Sequence, residues 1–276
     1  MILMKEQELS VSDKRKILIS KVGDDMRKER SNSPEACTSR EEAKMHPWVL
    51  RDLYGKHIDA HNLWMPISHY MPIAFEIQAS VTYYKGIKCS KFPMDAWILQ
   101  EIIFEHLPTK IIEIGNLHGG SALMLWDWLK DTDEGNLVIG VDIKHSNLDD
   151  KVRDHPHIEW IEGDAKSPEI VERVKSLIYP DDRVMIIDDS SHTPYHTYEV
   201  LKAYADLVTP GQFFIVEDTI LGNILPRSHG EFGADIAVRE FLKERDDFET
   251  VTYWQKWFLT CNPGGYLKRK EIGNEA

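Results

Sequence analysis

Apolar positions along this chain alternate between two patterns. Residues 111–114, 137–141, 158–161, 184–187 and 213–216 are short apolar runs, mainly β-branched, of the kind that forms strands buried on both faces. Elsewhere apolar residues recur at helical spacing: Trp97, Ile98, Ile102 and Ile103 within residues 95–106, then Leu123, Met124, Trp126 and Leu129 after Gly119, then the stretches 170–177 and 198–207. Strands alternating with helices predict an α/β fold: a doubly wound, mostly parallel, Rossmann-like sheet with ligands at the carboxyl ends of its strands.

Each of the five runs stops at or beside an acid: Glu113, Asp142, Asp164, the pair Asp188 and Asp189, and the pair Glu217 and Asp218. In a parallel sheet these ends share one edge, so the carboxylates should converge there. One such Asp reads as a helix N-cap, but five together are hard to assign to capping. Asp142, closing the second strand, stands where an acid takes a ribose diol in nucleotide-binding folds, and Asp164 is placed to accept from an adenine amino group. Asp189, Glu217 and Asp218 would crowd together, which is costly unless they are protonated or neutralised. A hard divalent cation such as Mg²⁺ answers that crowding; Arg183 and Arg227 are the alternative partners.

The stretch 110–126 holds the first strand, the glycines Gly115, Gly119 and Gly120, Ser121 and the start of a helix, an arrangement that lets a ligand approach bare backbone and free amides. It has neither the Gly-Lys-Ser/Thr of a Walker loop nor the dinucleotide spacing, so a pyrophosphate is not expected. Glu113, two residues before the first glycine, would repel phosphate and favour a ligand with cationic groups. S-adenosyl-L-methionine carries an ammonium and a sulfonium, and the stretch resembles the first motif of class I methyltransferases.

Composition narrows the partners. At 276 residues and 42% hydrophobic, the chain reads as a domain over residues 95–276 preceded by an extension. Residues 1–45 are charged, poor in aromatics and expected to be mobile or only locally helical, with capping-box spacing at 38–41. Residues 46–94 are thick with aromatics and are expected to form a lid or a contact for self-association, with padding of the sheet as the plain alternative. A net charge of −13 argues against nucleic acid, and no apolar run approaches a membrane span. Charge arrives early at the N-terminus, and Cys37, Cys89 and Cys261 make neither a disulfide framework nor a zinc pattern; a reducing cytoplasm is the expected compartment.

The segments IIDDSSHTPYHT from Ile186, GQFFIVEDT from Gly211, NPGGYLKR from Asn262 and FPMDAWILQEII from Phe92, with the glycine stretch, resemble the cephalosporin hydroxylase family over residues 85–270. That family is a branch of class I methyltransferases and includes sugar and macrolide O-methyltransferases. The resemblance implies a methyl donor, S-adenosyl-L-methionine, bound by Glu113, Gly115, Gly119, Ser121, Asp142 and Asp164. It implies Mg²⁺ on Asp189, Glu217 and Asp218, a small-molecule hydroxyl as acceptor, and His192 as general base, with His118 and His196 as alternatives. A metal-independent methyltransferase or a non-catalytic binding protein of the same fold are the competing readings, and an NAD-linked oxidoreductase ranks below both.

Overall fold

The computed structural model describes residues 67–132, 135–224 and 232–271. The segment 1–45 with its capping-box spacing, Cys37, Trp48, Tyr54, Trp64 and Arg227 lie outside the described residues.

Helix α1 (Ile67–Val81) leads into a small antiparallel hairpin, β1 (Tyr83–Tyr84) and β2 (Ile87–Lys88). Helix α2 (Pro93–His106) follows, started by extended Phe92 and a proline in its first turn, where the missing N–H costs nothing. Then come β3 (Lys110–Ile114), α3 (Gly120–Leu129), β4 (Leu137–Asp142), α4 (Asp150–Arg153), β5 (Ile158–Glu162), α5 (Pro168–Lys175) and β6 (Val184–Asp188). Helix α6 (Pro194–Tyr204), β7 (Phe213–Val216), α7 (Leu221–Ile224), α8 (Ala234–Glu244), β8 (Phe248–Thr250) and β9 (Tyr266–Arg269) complete the order.

The large sheet runs β5-β4-β3-β6-β7-β9-β8, and only β9 pairs antiparallel to its neighbours. All five predicted strands are present, four of them one residue longer than their apolar runs. Strand order reverses between β3 and β6, which is where such sheets open a crevice.

Side chains alternate to two cores. Ile112, Ile114, Ile139 and Ile186 pack beneath α5, α6 and α8, while Ile111, Val138, Met185 and Ile187 pack beneath α2 and α3. Every residue of β3 is buried, and each of its isoleucines contributes on the order of 1.5–3 kcal/mol by leaving water. The predicted doubly wound sheet is therefore present, with β8 and β9 added to it.

The described part of the aromatic extension divides by role. Phe92 is buried, Tyr70 is exposed, and Phe75 of α1 stands on the wall of the crevice described next. Asp95 in the first turn of α2 is buried and accepts from the Cys261 amide (2.7 Å), the Tyr266 hydroxyl (3.0 Å) and the Thr260 hydroxyl, tying α2 to the last strand.

Candidate active site

A cleft of about 660 Å³ opens at the carboxyl ends of β3, β4 and β6. Its floor is the turn after β3. Gly115 has φ +90° and its amide donates to Val141 O at 2.8 Å; a methyl group there would stand 2.2 Å from Asp189 O. Only glycine lets the ends of β3 and β6 come this close. The next two amides, of Asn116 and Leu117, donate to Asp142 Oδ2 at 2.7 and 3.0 Å, so the strand-end acid of β4 fixes the loop. Gly119, at φ +80°, is the N-cap of α3.

Of the residues predicted to bind the cofactor, Gly115, Ser121, Asp142 and Asp164 line the cleft. Glu113 and Gly119 stand behind the wall. Glu113 is fully buried, accepts from Asn116 Nδ2 at 2.9 Å through Oε2, and leaves Oε1 without a hydrogen bond. Burial raises its pKa above the ordinary carboxylate value, and the nearby Lys91 ammonium opposes this. Asp164 is half-exposed; its Oδ1 accepts from the Lys166 amide at 3.1 Å.

The second cluster lies after β6 and β7. Asp189, His192 and Asp218 line the cleft and each brings a ligand atom to within 4.8 Å of the others. His192 Nε2 is 3.7 Å from Asp189 Oδ1 and 3.6 Å from Asp218 Oδ2. Both His192 and Asp218 hold φ +55°, a left-handed backbone that side chains rarely adopt and that clusters at functional sites. Asn262 supports Asp218 from the far end of the chain, its Oδ1 accepting the Asp218 amide at 2.8 Å.

Glu217, predicted beside these acids, instead points its Oε2 at Lys91 Nζ, 2.5 Å away, while Oε1 is buried and unpaired. The same ammonium is 2.8 Å from Asp189 Oδ2 and 3.7 Å from Glu113 Oε1. Among the described residues Lys91, and not Arg183, is thus the partner of the acids. Arg183 precedes β6 and so lies at the opposite edge of the sheet, its Nε donating to Leu107 O at 2.5 Å.

Burial would push the Lys91 pKa down, but Asp189, Glu217 and Glu113 hold it well above the ordinary lysine value. Glu217 and Asp218 are raised well above theirs, by burial first and by neighbouring carboxylates next. One ammonium does not neutralise so many acids.

Asp188, at the end of β6, is buried and accepts from Ser190 Oγ at 2.5 Å; burial raises its pKa from 3.8 to about 6. Between those values the folded chain holds a proton that the unfolded chain has lost, so stability falls as pH rises through this window. The shift corresponds to roughly 3 kcal/mol. Melting of the metal-free protein in EDTA from pH 4 to 7 should show Asp188→Asn gaining on the wild type by about that amount. Parallel melting curves would refute the assignment.

A model of the rhamnosyl O-methyltransferase/CmcI family matches residues 77–270. The chain belongs to that family. The rhamnosyl O-methyltransferase of Mycobacterium leprae is 34% identical over 199 residues, covering 69% of this chain and 84% of that one. That of Mycobacterium bovis is 33% identical over 193 residues, covering 68% and 78%.

Among solved structures, CmcI without ligand superposes with a TM-score of 0.56 at 23% identity, over 70% of this chain and 78% of that one. CmcI with Mg and SAM gives 0.55 at 24%, over 69% and 77%. These likenesses speak to the fold, and they bear out the class I methyltransferase type of sheet. Family membership bears out the enzyme class as well: the chain is an S-adenosylmethionine-dependent O-methyltransferase. Among the described residues no helix is long and apolar enough to cross a membrane.

Two functional candidates escaped the sequence reading. Lys91 lies in a Ser-Lys-Phe-Pro stretch with no acid beside it, and its partners are 98 and 126 positions away. Asn116, which holds Glu113, carried a signal, since it directly follows the first glycine.

Proposed function

We propose that this chain transfers a methyl group from S-adenosylmethionine to a sugar hydroxyl, with Mg²⁺ held by Asp189, Glu217 and Asp218 and with His192 as general base. The observation that supports this most is the convergence of Asp189, His192 and Asp218 on a cleft that is also walled by Gly115, Ser121 and Asp142.

The residues fit a divalent ion. Two of the three carboxylates are raised well above their ordinary pKa, by burial first and by neighbouring carboxylates next, and Glu217 Oε1 is buried without a partner. Magnesium takes oxygen ligands, which assigns it to the carboxylates and leaves the imidazole for proton transfer. Bound there, the ion would lower the pKa of an acceptor hydroxyl.

The chain's own residues do the rest. Asp142 fixes the loop that would carry the cofactor, and Asp164 stands at the same wall to meet its adenine. Phe75 and Gln78 of α1 offer a ring and an amide for a sugar. His192 Nε2 receives the hydroxyl proton while the acceptor oxygen forms its bond to the methyl carbon and the carbon–sulfur bond breaks. Its curated relatives are named for a rhamnosyl acceptor, so a rhamnoside is the acceptor class to offer first.

Incubation with S-adenosylmethionine and a rhamnoside should give a methylated product by mass spectrometry. EDTA should lower the rate by about 10²-fold or more, with recovery in Mg²⁺. His192→Asn, which tolerates the left-handed backbone, should retain cofactor binding and lose about 10²-fold or more in turnover. Full activity in EDTA would sink the metal; an active His192→Asn would move the base to His118 or His196, which line the same cleft.

A further inference from the structure

Lys91 joins the two halves of the site. Its side chain is 4% exposed, and burying an ammonium costs several kcal/mol unless it is closely paired. Its backbone is fixed on both sides, by the Cys89 amide donating to Thr82 O (3.0 Å) before it and by the start of α2 after it.

Three acids each turn one oxygen toward this ammonium and keep the other free of it. Asp189 gives Oδ2 to Lys91, and its Oδ1 faces His192. Glu217 gives Oε2, and its Oε1 is buried without a partner. Glu113 turns Oε1 toward it, and its Oε2 accepts from Asn116.

The charges agree with a site built around this lysine. Glu113, Asp189, Glu217 and Asp218 against one ammonium leave three negative charges. A divalent ion would offset two of them.

We propose that Lys91 is a positioning residue for the divalent ion: by holding Oδ2 of Asp189 and Oε2 of Glu217, it leaves Oδ1 and Oε1 for the ion. This rests on the metal reading proposed above. The idea opposes the simple electrostatic expectation. Removing a positive charge from a cation site should by Coulomb attraction alone tighten the ion, whereas removing a positioning group loosens it.

The test is calorimetric titration of Mg²⁺ into wild type, Lys91→Met and Lys91→Arg, each with S-adenosylhomocysteine bound and each shown to be folded by its melting transition. Lys91→Met should bind Mg²⁺ about tenfold more weakly or worse. Lys91→Arg should also bind more weakly, because a planar guanidinium keeps the charge without the geometry. In turnover, the Mg²⁺ concentration for half-activation should rise while the rate at saturating Mg²⁺ recovers. Mg²⁺ binding by a folded variant as tight as in the wild type, or tighter, would overturn the role of Lys91 and leave the metal reading standing. If Lys91→Met does not fold, Lys91→Arg decides alone. A wild type that takes up no Mg²⁺ would overturn both.

Discussion

Asp218→Asn is expected to remove catalysis and to make the metal-free protein more stable. Asp218 is buried beside Asp189, and its carboxyl is pushed well above the ordinary range by burial and by that neighbour. Asn is nearly isosteric, tolerates the left-handed φ of +55° at this position and carries no charge to desolvate. Turnover at saturating Mg²⁺ should fall by about 10³-fold or more, and the melting shift produced by Mg²⁺ should vanish. In EDTA the variant should gain on the order of 1–2 kcal/mol, the usual sign when a functional charge is removed from a costly setting. Initial rates and melting with and without Mg²⁺ check both halves. A variant that is inactive, no more stable in EDTA and still shifted by Mg²⁺ would show that Asp218 does not hold the ion.

Gly115→Ala should be the most damaging of the small substitutions. Its Cβ would lie 2.2 Å from Asp189 O and 2.9 Å from Ser190 Cα, both backbone atoms, at φ +90°. Relieving that contact means parting β3 from β6, where the Asp189 amide donates to Ile114 O at 2.8 Å. A cost of about 3–5 kcal/mol is expected from the left-handed backbone and the overlap together. On the proposed assignment of Gly115 to the cofactor loop and Asp189 to the ion, binding of S-adenosylhomocysteine and of Mg²⁺ should both weaken. Gly264→Ala is the control: its φ is +78° but nothing lies within 4 Å, so it should cost about 1–2 kcal/mol and leave both ligands bound. Equal losses for the two variants would refute the proximity argument.

The difference between what the residues disclosed and what they hid is a matter of distance along the chain. Strands β3, β4, β6 and β7 were legible because each is a short apolar run largely buried on both faces with an acid at its end; β5, at the sheet's edge, is only partly buried but keeps the apolar pattern. Strand β9 was not. Its residues Tyr266–Arg269 close on two basic side chains that are half-buried, so the pattern of a central strand fades. Strand β8 is three residues long, too short for any period. In α1, Pro72 lies inside the helix and breaks the usual reading.

The site divides in the same way. The acids announced themselves by their shared edge, and Asp189 and Asp218 do meet. Glu217 and Glu113 each turn one oxygen toward a lysine that nothing local pairs with them.

Strand β9 enters the sheet between β7 and β8, and the segment before it brings Asn262 to the Asp218 amide and Cys261 to Asp95. During synthesis the β3 turn has all its neighbours, Asp142, Val141 and Asp189, as soon as β6 and the residue after it have emerged. The acid wall must wait for residues more than forty positions downstream of Asp218, so its support is assembled only after the parallel strands have been made.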